Sequence, residues 1–362
     1  MRSMVTGALF LGVLAYPFSI ASAASPPMDR SARHAVILRL DQELNDRYVF
    51  PDRAAVASKA LSAAEAGGAF DALTDPDAFA KAVTAKLAGL LHDKHLGVEY
   101  SAEVLPPQST EAEPTPTPQQ RTEIHAFFAS RNFGLDKAVQ LRGNVGYLDV
   151  RGFPPGELMG PTVAAAMQFL SNTDTLIIDL RKNGGGSPSG VALLCSYFLG
   201  PNVHINDIYS RTARTTTGKT EQSITSAVPG PLYLKKKIYL LTSYRTFSGG
   251  EEFANDLLTQ KRATLVGETT GGGANPGGDI RIGDHFSAFI PDGRAINPVT
   301  HTNWEGVGVK PDVATTADAA LSTAYTNILR EKIAVEKDPR ERKALSDLLA
   351  RVAKNPETIL LQ

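Results

Sequence analysis

The sequence predicts an α/β fold with a helical N-terminal domain, and three features point to it. Residues 175–180, Thr-Leu-Ile-Ile-Asp-Leu, form a nearly unbroken apolar run, the pattern of a strand covered on both faces. Two further runs, Ile238–Thr242 and Ala263–Gly267, share that character. Helical stretches follow the first two, and such alternation implies a parallel sheet with its working loops at the carboxyl ends of the strands.

Along the chain, residues 1–23 resemble an export signal: Arg2, an apolar run from Val5 to Ile20, then the small residues Ala21-Ser22-Ala23. The run is short for a membrane anchor and is broken by Pro17. Residues 24–100 should form the helical domain, with helices over 32–48, 52–66 and 77–90. Residues 101–120, rich in Pro, Thr and Glu, read as a linker or long loop. The catalytic core would span 121–318, opening with a helix over 119–131 that straddles the boundary. Within it, 145–150 should be a strand and 158–171 a helix. Ser187-Pro188 should open the next helix, with serine as cap and proline as first helical residue. Residues 248–260 read as another helix and 279–299 as hairpins, and 319–362 supply C-terminal helices from a stretch beginning near 316.

Composition narrows the function classes. A formal net charge of −1, from 37 basic and 38 acidic residues, argues against nucleic acid or an anionic membrane as principal partner. Hydrophobic content of 42% suffices for a sizeable core. Cys195 is the one cysteine, so no internal disulfide forms and no cysteine pair can hold a metal. An exported chain without disulfides fits a bacterial periplasm. No nucleotide, haem or flavin motif is present, and no cofactor is expected; the 271–273 glycines lack the Gly-Lys-Ser/Thr of a phosphate loop.

Two segments carry the chemistry. Asn183-Gly184-Gly185-Gly186 follows the first apolar strand and can expose bare backbone N–H groups. Thr246-Phe247-Ser248-Gly249-Gly250-Glu251 places a serine at the mouth of a helix. Ser248 with Glu251 is also a capping box, and a flexible turn explains one or two of the glycines. The functional reading overlaps with capping: a serine at a helix N-terminus sits at the positive end of the dipole. The Gly249 amide, with one from Gly185 or Gly186, can then stabilise an oxyanion, as acyl transfer requires. The preferred base among seven histidines is His95, in Asp93-Lys94-His95, because an imidazole titrates near neutrality. His92 and His95 stand three residues apart, but no convergent Asp, Glu or Cys pattern completes a metal site. Glu305, beside the lone Trp304, can orient or support the base; taken alone it reads as a solvated loop residue sooner than as a functional one.

These segments, taken in order, resemble the S41 peptidases: the tail-specific or C-terminal processing proteases, the tricorn-type proteases and interphotoreceptor retinoid-binding protein. The resemblance rests on Asp93-Lys94-His95, Gly146-Tyr147-Leu148, 179–186, 242–252, 267–273 and 306–312. It implies a ClpP/crotonase-like core of βαβ units and a serine peptidase acting on peptide or unfolded protein, with Ser248 as nucleophile. In the tail-specific branch a lysine serves as base where this chain has Gly272. The stretch before the core is also too short for a PDZ module. Both departures place the chain nearer the tricorn and retinoid-binding branch, whose base and assisting glutamate correspond to His95 and Glu305. A tricorn serine stands where Lys94 does here. The alternative implied by the same resemblance is a non-catalytic binder of apolar ligands.

Overall fold

The structure, a computed structural model, describes residues 27–108 and 116–361. The export-signal reading of residues 1–23 falls outside them, as does part of the linker. Three helices open the chain: α1 (Arg30–Arg47), α2 (Pro51–Ala66) and α3 (Pro76–Leu91). Asp29 and Asp75 cap α1 and α3 by accepting from backbone N–H groups one turn ahead, and proline starts α2 and α3. Strand β1 (Gly97–Tyr100) follows, then α4 (Pro118–Ala129), closed at its start by the Thr117–Gln120 capping box.

The core comprises β2 (Leu135–Leu141), β3 (Val145–Val150), α5 (Gly156–Phe169), β4 (Thr175–Asp179), α6 (Pro188–Leu199), β5 (His204–Arg211), β6 (Gly218–Ile224), β7 (Lys237–Thr242), α7 (Gly249–Thr259), β8 (Thr264–Gly267), β9 (Gly277–Arg281), β10 (Phe286–Pro291), β11 (Gly293–Ile296) and β12 (Val313–Ala314). Helices α8 (Ala317–Val335) and α9 (Pro339–Lys354) end it. The main sheet has the order β12-β8-β7-β4-β3-β2, parallel throughout except for β2, which runs antiparallel to β3.

Alternate residues of the same strands serve opposite faces, which explains the unbroken apolar runs. Leu148, Leu176, Ile178, Leu240 and Leu265 pack with α5, α6 and α7. Tyr147, Ile177, Tyr239, Leu241 and Val266 pack with α8 and α9. Both layers are buried, as expected of a doubly covered parallel sheet.

The N-terminal helices do not build a core of their own. Leu40, Leu44, Phe79, Val83 and Leu87 pack against Ile280, Ile282, Phe286, Ala288 and Ile290. Strand β1 pairs antiparallel with β10, which pairs with β9. The hairpin expected within 279–299 is thus β9–β10, whereas β11 pairs back onto β5 of the β5–β6 hairpin. That hairpin and β2 carry no sequence expectation: β6 is nearly all exposed and polar, so no hydrophobic alternation marks it.

Candidate active site

The carboxyl ends of β3, β4, β7 and β8 meet at one edge of the sheet. Beyond β7 the chain turns sharply through Ser243–Phe247. Thr246 Oγ1 donates to Leu180 O at 2.8 Å, Ser243 Oγ to Arg181 O at 2.6 Å and Phe247 N to Asn183 O at 3.0 Å. The turn is therefore fixed to the loop after β4. It delivers Ser248 with φ +52° and ψ −121°, a conformation costly for a residue with a side chain, at the first turn of α7.

Asn183 is the buried hub of the β4 loop. Its Nδ2 donates to Val150 O at 3.0 Å, and its Oδ1 accepts from Gly185 N at 2.8 Å. Gly185 has φ +104°, and a Cβ there would lie 2.7 Å from Ser248 Cβ and 2.9 Å from Gly249 N. Gly186, at φ +137°, passes so close to Phe153 that a Cβ would meet its carbonyl oxygen at 2.2 Å. Two glycines of the run are thus required by space and backbone conformation, whereas Gly184 faces nothing within 4 Å. The Gly185 amide is engaged by Asn183. The Gly186 and Gly249 amides have no hydrogen-bond partner among the described residues.

Glu251 does more than cap. Its carboxylate, fully buried, accepts from Ser248 N at 3.0 Å, Gly273 N at 2.8 Å, Gly272 N at 2.7 Å and the Thr270 hydroxyl. Burial pushes its pKa up while these donors pull it down. Gly272 and Gly273 thus present their amides to Glu251 and so couple the 270–273 loop to Ser248.

His95 arrives from the N-terminal region. Helix α3 ends at His92 in a left-handed conformation (φ 51°), and the chain passes Asp93 and Lys94 before entering β1. The imidazole sits between two aromatic rings, Phe247 at 4.6 Å and Phe289 at 5.6 Å between centroids. A Cβ on Gly273 would come within 2.8 Å of His95 Cε1. His95 thus touches the residue immediately before Ser248 and the loop held by Glu251. Its Nδ1 is buried without a hydrogen-bond partner among the described residues. Burial lowers its pKa to about 4, against an opposing pull from Asp93, so the ring is neutral at physiological pH.

Glu305 lies on the other side of the histidine loop. It accepts from Ala274 N at 2.6 Å, Lys94 N at 2.9 Å and Asn275 N at 3.1 Å. Burial, followed by the nearby Asp93 charge, raises its pKa to about 7. Asp93 accepts from Asn275 Nδ2 at 2.8 Å, Tyr48 OH at 3.1 Å and His95 N at 3.1 Å. Trp304 Nε1 donates to Gly273 O at 2.7 Å, anchoring the same loop.

One donor atom from each of Asp93, His95 and Glu305 lies within 4.8 Å of the others. The sequence showed no convergent carboxylates around His95; folding supplies two, from positions 93 and 305, and His92 is not part of the group. Such a trio can orient an imidazole or hold a cation, but both carboxylates already accept several hydrogen bonds. Asn183, Asp93 and the extended role of Glu251 are the site residues that sequence reasoning missed. Each stood inside a quoted motif, but its partners lie far along the chain.

Comparison with known proteins bears on the family and the fold. The sequence model of Peptidase family S41 matches residues 144–315, and the model of the N-terminal domain of Peptidase_S41 in eukaryotic IRBP matches residues 22–129. A curated relative, the chloroplastic carboxyl-terminal-processing peptidase 2 of Arabidopsis thaliana, is 29% identical over 171 residues. That match covers 46% of this chain and 31% of the relative, so the chain spans under a third of that protein's length. Among solved structures, a candidate peptidase from Parabacteroides merdae superimposes with a TM-score of 0.54 at 15% identity, over 78% of this chain and 90% of that one. A serine-to-alanine mutant of CPAF gives 0.54 at 12% identity, over 79% and 94%. At these identities the structures speak to the fold alone, which is the mixed α/β architecture with a helical N-terminal region. Among the described residues no helix is long and apolar enough to cross a membrane. With its core and its N-terminal region each matched by a model of the same family, the chain belongs to peptidase family S41.

Proposed function

We propose that the chain is a serine endopeptidase acting on peptides or unfolded protein, with Ser248 as nucleophile and His95 as base. The observation that carries this reading is the convergence of a strained serine at the start of α7, two unbonded amides beside it, and a buried neutral imidazole against the preceding residue. The relative from Arabidopsis, a carboxyl-terminal-processing peptidase, supports the reaction class.

In this mechanism Ser248 Oγ forms a bond to the scissile carbonyl carbon while its proton passes to His95. The oxyanion is held by the Gly249 and Gly186 amides, the Gly185 amide being spent on Asn183. His95 returns the proton to the leaving amine as the C–N bond breaks. A water molecule, deprotonated by the same imidazole, then hydrolyses the acyl-enzyme and regenerates the serine. Glu305 and Asp93 favour the imidazolium that forms twice in the cycle. Each oxyanion donor contributes about 3 kcal/mol to lowering such a barrier. The 93–95–305 trio acts here as a relay, without a metal. The reading includes export, on the strength of residues 1–23, and places the chain nearer the tricorn and retinoid-binding branch than the lysine-dependent one.

Ser248→Ala tests the reading. It should abolish hydrolysis of unfolded protein and labelling by a covalent serine probe, with thermal unfolding retained. Cleavage persisting in that variant excludes Ser248 as nucleophile. Tight apolar-ligand binding without any probe labelling would instead support the non-catalytic binder.

A further inference from the structure

Two carboxylates and an imidazole share one corner of the site, and no cationic side chain compensates them. Asp93, His95 and Glu305 each bring one donor atom within 4.8 Å of the others. Asp93 is buried and Glu305 half-buried. Among the described residues neither carboxylate forms an ion pair with lysine or arginine. Lys94 is exposed, and it reaches Glu305 through its backbone amide at 2.9 Å. Charges taken out of water are ordinarily paired or bound to a metal.

Hydrogen bonding leaves specific acceptor sites open. Each carboxylate oxygen offers two lone pairs. Asp93 Oδ2 accepts from Tyr48 OH and Asn275 Nδ2, whereas Oδ1 accepts only from His95 N. Glu305 Oε2 accepts from Ala274 N and Asn275 N, whereas Oε1 accepts only from Lys94 N. One lone pair thus stays open on each carboxylate, and the buried His95 Nδ1 has no partner among the described residues. Asn275 adds a further donor atom. It is 2% exposed, its amide lies against Asp93, and its Oδ1 is buried without a partner among the described residues. A half-turn of that amide brings Oδ1 to the place of Nδ2, 2.8 Å from Asp93. The bonds already made come mostly from main-chain amides, and they fix the carboxylates as outer partners fix metal-bound ones.

We propose that Asp93, His95 and Glu305 form an inhibitory zinc site, in which a divalent zinc ion displaces the relay proton and switches the peptidase off. The blocking step rests on the reading of His95 as base; the site itself does not. Mixed nitrogen and oxygen donors suit zinc, whereas calcium and magnesium favour oxygen alone. Zinc bonds of about 2.0–2.2 Å require each donor atom to move inward by about 1 Å, within reach of side-chain rotation. The two charges of the ion match the two carboxylates. A neutral imidazole carries one proton. In the active arrangement that proton lies on the nitrogen facing the carboxylates, and the other nitrogen takes the proton of Ser248. Zinc bonded to the first nitrogen moves the proton to the second, which then cannot accept from Ser248. Removal of zinc restores the first arrangement, so the metal-free protein is the active form.

For the test, the full chain is stripped with a chelator, dialysed and titrated with zinc chloride, with magnesium and calcium chlorides as controls. Zinc should lower kcat on unfolded protein by about 100-fold, the scale of a lost general base, with KM unchanged and activity restored by chelator. Magnesium and calcium should have no effect. Binding is read separately by calorimetry. Ser248→Ala keeps every ligand and should bind zinc as the wild type does. Asp93→Asn and Glu305→Gln should each weaken binding by more than about tenfold, and Asn275→Ala by about tenfold. Circular dichroism checks that these variants fold. A readout independent of them is cobalt(II) added to Ser248→Ala, which should shift the His95 imidazole proton resonances. The pairs His204–Asp207 and His34–Glu65 lie elsewhere and offer two ligands each. Zinc binding that survives the three substitutions, unshifted His95 resonances, or no binding at all overturns the site. Zinc binding that depends on Asp93 and Glu305 yet leaves kcat unchanged overturns the switch. Such binding in a metal-free protein that cleaves nothing upholds the site, removes the peptidase reading and takes the switch with it.

Discussion

Gly185 shows how tightly a single position is determined. Its φ of +104° and its approach to Ser248 Cβ leave no room for a methyl group, whereas Gly184, one residue earlier, faces open space. Gly185→Ala should push Ser248 and the Gly249 amide apart and lower kcat/KM by about 100-fold or more, the scale of a lost oxyanion donor. Gly184→Ala is the matched control. Under the proposed mechanism, His95 and Glu305 set the pH profile. The imidazole, with its pKa lowered to about 4, stays a neutral base well below the usual histidine range. Glu305, raised to about 7, gains its charge only as pH climbs through neutrality. An ionised Glu305 favours the imidazolium formed when Ser248 gives up its proton. Activity should therefore rise through about pH 7, with a residual plateau falling away near 4. Glu305→Gln should delete the step near neutrality and leave the acidic one. A profile with the step still present would remove Glu305 from the relay.

Helix α7 joins local legibility to long-range structure. Strands β3, β4, β7 and β8 and the helices after them were readable because burial on both faces writes continuous apolar runs. The placement of Ser248 at the start of α7 and of the glycine run after β4 was readable because caps and turns are local signals. Glu251 looked like a cap, since its bonds to Gly272 and Gly273 depend on folding. Strands β5 and β6 escaped notice because pairing with each other and with β11, not alternation, creates them. The same helix buries two further acids one turn apart. Glu252 and Asp256 point away from water; burial pushes Glu252 up to about 7 and Asp256 well above the usual carboxylate range. A raised folded-state pKa means the folded chain holds protons that the unfolded chain releases. The stability tied to protonated Glu252 is therefore full below the ordinary carboxylate pKa and is lost as pH rises through about 7, and Asp256, raised well above its usual range, adds a loss in the same direction. Glu252→Gln should match wild-type stability near pH 4 and exceed it by about 3 kcal/mol near pH 8. Urea titrations at the two pH values measure this; a pH-independent difference would show that the acid is not protonated in the fold.

At the scale of the whole molecule, the N-terminal helices and the core share one packed apolar layer. Helices α1–α3 share their apolar layer with β9 and β10, and β1 completes that three-stranded sheet. Arg211 of β5 reinforces the union from the far side, donating to Tyr48 O at 2.6 Å and Asn45 O at 3.0 Å. The same union brings His95, which precedes β1, against Phe247. A truncated chain starting at residue 116 would expose Ile280, Ile282, Phe286, Ala288 and Ile290 and leave β10 without its neighbour. At about 1.5–3 kcal/mol for each large apolar side chain returned to water, the loss approaches the whole stability of a typical domain. The truncated chain should therefore lack a cooperative thermal transition and be cleaved rapidly by added protease within 277–296. In the full chain, Arg211→Ala should cost about 2–3 kcal/mol, because it strips charge-assisted donors from buried carbonyls. A truncated chain that melts cooperatively would mean that the core folds alone and that the N-terminal helices are an attached module delivering the imidazole.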